Sequence, residues 1–158
     1  MTVLSLFDGI ASGMIALERA GINVDFYFAS EIDGTSILIA KNNYPNIIEI
    51  GNVLNITYKD GMLFAEKGNF FVGHINLLIG GSPCTNFSSI GYSAGMTSGQ
   101  SEILSLEQYL NLKNKNIKFD GESYLFWEYA RILKEVKPDY FLLENVIMAK
   151  KMGKCNYR

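Results

Sequence analysis

The sequence predicts an α/β fold built on a mainly parallel sheet. Short apolar runs that read as buried strands alternate with stretches of helical periodicity. Several of those runs end in glycine-bearing or acidic turns, which is how such sheets display working residues. Strand–helix alternation implies right-handed crossovers, so the strand ends gather at one edge. With 158 residues, 48% of them hydrophobic, the chain suits one domain and can bury a full core.

The first strand is Val3–Phe7, followed by the turn Asp8–Gly13 with its two glycines. Met14, Ile15, Leu17, Glu18 and Ala20 then follow a helical pattern that Gly21 ends as a C′ residue. A helix N-terminus behind a glycine turn offers free N–H groups to a ligand, although the same pattern serves as a plain structural turn. The second strand, Asp25–Ser30, ends in Glu31-Ile32-Asp33. An acidic residue there, about 20 residues after the glycine turn, is placed to accept from ribose hydroxyls. Residues 34–43 read as a helix that stops before Pro45, and 47–50 as a short strand leading into Gly51-Asn52-Val53. A helical stretch at 61–67 is weakly marked.

Strand four, 75–80, runs into Gly80-Gly81-Ser82-Pro83-Cys84, a glycine turn in which a proline precedes a thiol. That arrangement suits a nucleophile, whose reactive form is the thiolate. A small cysteine packed as a hydrophobe gives the same letters. The lone histidine, His74, caps or precedes this strand. Residues 88–121 are polar and glycine-rich, a length typical of lids and binding loops, with a short helix around 102–112. Helical periodicity returns over 122–137, where Leu125, Tyr129, Ile132 and Val136 share a face, and Pro138 ends it. The fifth strand, 139–143, ends in Glu144-Asn145-Val146, where Glu144 also suits a water-facing strand end.

Charge and cysteine usage narrow the function classes. The net charge of −2 leaves no general basic footprint for nucleic acid. Seven of the 14 basic residues nevertheless fall in two stretches: Lys113, Lys115 and Lys118, and Lys150, Lys151, Lys154 and Arg158. Solvated loop charge explains both stretches equally well. Cys84 and Cys155 form neither a disulfide framework nor a metal-ligand spacing, and one histidine makes a histidine-based metal site improbable. No apolar run approaches the roughly 18 residues of a membrane span, and no leader pattern opens the chain, so a cytoplasmic protein without membrane partners is expected.

Three motifs together resemble the DNA (cytosine-5)-methyltransferases. Leu6-Phe7-Asp8-Gly9-Ile10-Ala11-Ser12-Gly13 resembles the family's first motif, in the form seen in mammalian de novo and some phage enzymes. Gly80-Gly81-Ser82-Pro83-Cys84, with Asn86-Phe87-Ser88 after it, is similar to the catalytic Pro-Cys motif, and Glu144-Asn145-Val146 to the Glu-Asn-Val motif. They stand in the family's order over residues 3 to about 148. The resemblance implies a Rossmann-like S-adenosylmethionine-dependent methyltransferase fold over residues 1–149, with 150–158 as a basic tail. It implies that Cys84 adds to carbon 6 of a flipped cytosine while Glu144 holds a proton at N3. Phe7, Asp8, Gly9, Ile10, Ser12, Gly13, Glu31, Ile32, Asn52, Val53 and Pro83 would then contact the cofactor. Where the family usually carries Asp, this chain has Asn52, which lacks charge assistance toward the adenine amino group. Ser82, Asn145 and Val146 would lie at the substrate, with Asn145 orienting Glu144.

Residues 88–121 match the position of the family's mobile active-site loop, making Lys113, Lys115 and Lys118 candidates for DNA phosphate contacts. The family's later Arg-containing motif, target-recognition region, final helix and strands beyond strand five find no counterpart here. Strand five is therefore expected as an apolar edge, open to a complementing C-terminal half or to self-association. Three readings follow: a catalytic portion of a larger enzyme, one subunit of a split enzyme, or a non-catalytic S-adenosylmethionine-binding module. A dinucleotide oxidoreductase would need Gly-x-Gly-x-x-Gly, from which Asp8–Gly13 departs, and a Cys hydrolase has only His74 as a base. A restriction–modification or phage-protection role rests on analogy.

Overall fold

A computed structural model describes residues 1–83, 97–98, 101–119 and 121–145. Cys84, the stretch Asn86-Phe87-Ser88, Val146 and the basic tail lie outside the described residues. The chain divides into two compact units, one of Met1–Gly81 with Glu128–Glu144, the other of Ser82–Trp127 with the residues after Glu144.

The first unit is built on β1 (Thr2–Leu6), β2 (Phe26–Ser30), β3 (Ile48–Glu49), β7 (Leu77–Gly80) and β10 (Tyr140–Leu143). They form one sheet in the order β10-β7-β1-β2-β3, and every pair is parallel. This is the predicted mainly parallel α/β architecture. The central strand reads Val3-Leu4-Ser5-Leu6 and is buried throughout, as a strand covered on both faces must be. On one face Val3, Tyr27, Ala29 and Ile79 pack with Ala11 and Leu17 of the first helical segment and Ala40 of the second. On the other, the Tyr129 ring stands 3.3 Å from where a Cβ at Gly80 would be, and Phe70 meets Phe28 at 5.5 Å between ring centroids.

Helix α1 (Ser12–Arg19) begins two residues earlier than the sequence suggests, inside the predicted glycine turn. It ends as predicted at Gly21, with φ of 69°. The Gly21 N–H donates to the Glu18 carbonyl and the Ile22 N–H to Leu17, both at 3.0 Å, a Schellman closure. Helix α2 (Gly34–Asn43) is capped by Asp33, which accepts from the Ser36 N–H at 2.8 Å.

The weakly marked helix at 61–67 is not a helix. A three-stranded antiparallel sheet takes its place: β4 (Thr57–Lys59), β5 (Met62–Ala65) and β6 (Gly68–Phe71). Asp60-Gly61, with φ of 51° and 80°, supplies the two positive-φ residues of a tight hairpin turn. Leu63 is buried and Phe64 exposed, so neighbouring residues divide between the two faces as a strand requires.

Helix α4 (Leu125–Val136) carries a buried ion network over its last turns. Arg131 reaches Glu128 Oε2 through Nε at 2.9 Å and Nη2 at 2.6 Å, and Glu135 Oε1 through Nη1 at 2.7 Å. Its Nη2 also donates to the Ile56 carbonyl at 2.8 Å, while Glu135 accepts the Tyr58 N–H at 3.1 Å. The side chains of one helical face therefore hold the edge of the small antiparallel sheet. At the far edge of the main sheet, Tyr140, Phe141 and Leu142 of β10 are 71%, 61% and 59% exposed. Consecutive strand residues point to opposite faces, so both faces of this edge strand are open, as expected.

In the second unit, β8 (Thr97–Ser98) pairs antiparallel with β9 (Ser101–Glu102), and α3 (Leu106–Asn114) starts at Ser105, whose side chain caps Gln108 N–H at 3.2 Å. The predicted helix around 102–112 thus begins four residues later, and the one over 122–137 begins at Leu125. Phe119 lies 5.0 Å from Tyr109 and 4.9 Å from Tyr124 between ring centroids, fixing the chain after α3 to that helix.

Glu128 is fully buried, so removing the guanidinium leaves its carboxylate without the cation beside it. Arg131→Ala is expected to cost about 3–5 kcal/mol in urea unfolding, the range for breaking a buried pair from one side.

Candidate functional site

The parallel register aligns the ends of four strands. Leu143, Gly80, Leu6 and Ser30 form one row across β10, β7, β1 and β2. The next residue of each strand is Glu144, Gly81, Phe7 and Glu31, so three predicted site positions and one glycine of the Pro-Cys motif come together at the carboxyl edge.

After β1 the backbone turns through three left-handed residues: Phe7, Gly9 and Ala11, with φ of 56°, 61° and 66°. Only glycine adopts that region without cost; Phe7 and Ala11 are held there by their surroundings. The Asp8 N–H donates to the Ser30 carbonyl at 3.1 Å and the Gly9 N–H to Glu31 Oε2 at 2.8 Å. The other Glu31 oxygen accepts from the Ile32 and Asp33 N–H groups at 2.7 and 2.9 Å. Glu31 thus ties the first turn to the start of α2. A Cβ built on Gly9 would meet nothing within 4 Å, so the turn borders open space. Ile10 and Ile32, 44% and 73% exposed, offer apolar surface beside it.

Asp8 turns inward. Its Oδ1 accepts from the Ser5 and Tyr27 hydroxyls, both at 2.6 Å, while Oδ2 is screened from solvent with no partner among the described residues. Burial pushes the Asp8 carboxyl above its ordinary range, and the Glu31 charge acts in the same direction against the two hydroxyl bonds. Burial and the neighbouring Asp8 likewise push the Tyr27 hydroxyl up. Sequence reasoning missed this Ser5–Asp8–Tyr27 set. Two hydroxyls in otherwise apolar strands were the available signal.

Gly80 is required by space, and Gly81 lies under the Glu144 side chain. A Cβ on Gly80 would stand 2.6 Å from the Leu6 carbonyl oxygen, and one on Gly81 would stand 2.7 Å from Glu144 Oε2. The Glu144 N–H donates to the Gly80 carbonyl at 2.9 Å. The Glu144 carboxylate therefore lies over the Gly81 backbone.

Beyond β3, the Ser30 hydroxyl donates to the Gly51 carbonyl at 2.8 Å, and Gly51 has φ of 90°. Asn52 Oδ1 accepts from the Leu54 N–H at 2.9 Å, capping a short 3₁₀ turn, so that carbonyl is already engaged. Val53 is buried. Ser12 opens α1 and is exposed, while Gly13 packs under Tyr27 and Ile79. Ser82, Pro83 and Asn145 belong to the second unit, Ser82 buried and the other two half-buried. Lys113, Lys115 and Lys118 also belong there, Lys115 and Lys118 being exposed. Among the described residues no His, Cys, Asp or Glu cluster could hold a metal ion, and no helix is long and apolar enough to cross a membrane.

The sequence matches the family of C-5 cytosine-specific DNA methylases over residues 1–157. The chain belongs to that family. Curated relatives of the chain include the orphan methyltransferase M.Rho11sI of Bacillus phage rho11s, 29% identical over all of the chain and 28% of the relative. The type II methyltransferase M.NgoPII of Neisseria gonorrhoeae is 30% identical over 92% of the chain and 33% of the relative. The chain thus spans about a third or less of the length of these relatives. Among solved structures it resembles a DNA modification methyltransferase encoded within an E. coli prophage, with TM-score 0.59, 25% identity, and coverage of 97% of this chain and 34% of that one. Spodoptera frugiperda DNMT2, at TM-score 0.52 and 18% identity over 92% of the chain and 35% of its own, shares the fold.

In Gly13→Ala the added methyl would overlap the Ile79 side chain and stand 2.8 Å from the Tyr27 hydroxyl. A loss of about 1–3 kcal/mol is expected in denaturant unfolding, the usual cost of overpacking.

Proposed function

We propose that this chain carries the cofactor-binding and catalytic portion of a DNA cytosine-5 methyltransferase, as a domain over residues 1–149 with 150–158 as a basic tail. The alignment of the first turn, Glu31, Gly81 and Glu144 at one sheet edge carries this reading, in a chain that belongs to the methylase family.

The residues fit S-adenosylmethionine. Gly9 leaves open space for a ligand to approach the backbone, and Ile10 and Ile32 give apolar surface, while Asp8, turned inward onto Ser5 and Tyr27, supports the turn from behind. Glu31 keeps acceptor capacity for ribose hydroxyls while its backbone bonds fix its position. Phe7, Ser12, Gly13, Val53 and Pro83 complete the proposed contacts. Asn52, with its carbonyl engaged by Leu54, contributes weakly to adenine. When bound, the cofactor supplies an electrophilic methyl group.

Cys84, as thiolate, adds to carbon 6 of a cytosine extruded from the duplex. Glu144 holds a proton at N3, where electron density collects as the bond forms. Its seat over Gly81, one residue past the strand row, supports this role. With S-adenosylmethionine bound, carbon 5 would receive the methyl group as the sulfonium–methyl bond breaks to leave a thioether; loss of the carbon-5 proton to water would then restore the 5,6 double bond and expel Cys84 as thiolate. Ser82, Asn145 and Val146 position the base and Glu144.

The exposed apolar faces of β10 and the coverage of a third or less of the relatives favour a second reading beside the first. In it, the chain works with a complementing half or a second copy added along β10, or binds the cofactor without catalysis.

Tritiated methyl transfer to mixed genomic DNA, alongside calorimetric binding of S-adenosylmethionine, separates these readings. Cys84→Ala is expected to abolish transfer and keep cofactor binding, whereas Glu31→Ala loses binding. Binding with no transfer by the unsubstituted chain assigns the second reading; no binding refutes both. Lys113, Lys115 and Lys118 are proposed phosphate contacts. Replacing all three with Ala should flatten the dependence of DNA affinity on salt, by a slope of about 2–3. An unchanged slope removes them from the interface.

A further inference from the structure

The chain just past β3 is met by a side chain that has no role in the reading above. Glu66 and Lys67 form the two-residue turn between β5 and β6, since Ala65 pairs with Gly68. This turn reaches back to the main sheet. The Lys67 N–H donates to the Ile50 carbonyl at 3.4 Å, and Glu66 Oε2 accepts from the Asn52 N–H at 3.1 Å. The Glu66 side chain lies along the Gly51 backbone, where an added Cβ would stand 2.8 Å from Oε2 and 3.0 Å from the Glu66 Cβ. Gly51, with φ of 90°, permits that close approach. The Glu66 side chain is exposed, and no donor among the described residues reaches its Oε1.

Its place along the sheet gives this carboxylate a use. The Ile50 N–H donates to the Ala29 carbonyl and the Ser30 hydroxyl to the Gly51 carbonyl, both at 2.8 Å. Gly51 therefore stands beside the end of β2, where Glu31 begins the next turn. The carboxyl edge runs from the open turn at Gly9, through Glu31 with exposed Ile32 beside it, to Glu66 over Gly51 and Asn52. A nucleoside bound along this edge with its ribose at Glu31 has Ile32 and the chain after β3 as the next surface for its base, on the side away from Gly9. Asn52 is poorly equipped to receive that base, because its side-chain carbonyl is engaged by the Leu54 N–H. Glu66 Oε1 is an undonated acceptor at the same place. The exocyclic nitrogen of a 6-aminopurine offers N–H donors, and a carboxylate offers only acceptors.

We propose that Glu66 is a specificity-determining residue of the cofactor site: its carboxylate accepts from the 6-amino group of adenine and supplies the charge that Asn52 lacks. The proposal rests on the cofactor reading above. It assigns the small antiparallel sheet a task at the site, since the turn between β5 and β6 delivers the acceptor.

The test is a calorimetric cycle on the full chain without DNA. The two ligands are S-adenosylhomocysteine and its analogue carrying hydrogen in place of the purine 6-amino group. The unsubstituted chain should bind the amino ligand about tenfold more tightly, the effect of one charge-assisted hydrogen bond. In Glu66→Ala the two ligands should bind alike, because the group that distinguishes them is gone. Glu66→Gln keeps an acceptor for the Asn52 N–H and stands in if Glu66→Ala does not fold. Its preference should fall to about threefold, since a neutral bond is about half as strong. A merely structural role for Glu66 would weaken both ligands equally and leave the tenfold ratio in place; that ratio in the variants overturns the proposal. Equal binding of the two ligands by the unsubstituted chain overturns it as well. Binding of neither ligand by the unsubstituted chain overturns the cofactor reading itself, and the proposal with it.

Discussion

The in-register parallel pairing around β1 is the constraint on which the rest depends. Because Leu6 sits level with both Ser30 and Gly80, and Gly80 level with Leu143, four strands end together. Every later feature exploits that common end. The Gly9 N–H reaches Glu31 because their strands stop at the same height, and Glu144 lies over Gly81 for the same reason. A slip of one residue in either pairing would turn each strand's side chains to the opposite face and separate these groups.

Much of this was legible in the sequence. The apolar runs of the five main strands are short and bounded by Gly, Pro or acidic residues, and the central strand β1, buried on both faces, has few other ways to read. Gly21 marked the end of α1 through its left-handed geometry, and Pro138 the end of α4. The antiparallel sheet at 57–71 was not legible as such. Its strands are three or four residues long, too short for a period of two to stand out against a helical pattern, and Asp60-Gly61 was the one local sign of a hairpin. The start of α1 was misplaced for a related reason: Ala11 takes a left-handed conformation and caps the helix without a side-chain bond, so none of the usual capping residues announces it.

The site was legible in its motifs but not in its wiring. Glycine spacing and acidic strand ends marked the positions of Gly9, Glu31, Gly81 and Glu144. What those letters could not convey is that Glu31 is held by three backbone N–H groups, or that Asp8 points into the core toward Ser5 and Tyr27. Two of these contacts, Gly9 to Glu31 and Tyr27 to Asp8, join residues about 20 positions apart and depend on which face each strand residue takes. Glu49 shows the same limit: a lone charge in Ile47–Ile50 was visible, but its place in one row with Ala29 and Ser5 follows only from the register. The Arg131 network is similar, since helical spacing puts Glu128 and Glu135 within reach while Ile56 and Tyr58 come from distant sequence.

The position of the second unit has an implication for how this fold can vary. Most of it, Ser82–Trp127, is one long excursion of the chain between the paired strands β7 and β10, and the rest follows Glu144. The entropy of closing such an excursion grows only with the logarithm of its length, about 0.6 kcal/mol per doubling. Residues can be gained or lost there at little thermodynamic cost, whereas the turns after β1 and β2, fixed by individual N–H groups, admit almost none. Added length in that segment would cost the fold little, whereas the strand ends at Gly9, Glu31 and Glu144 are tied by individual hydrogen bonds.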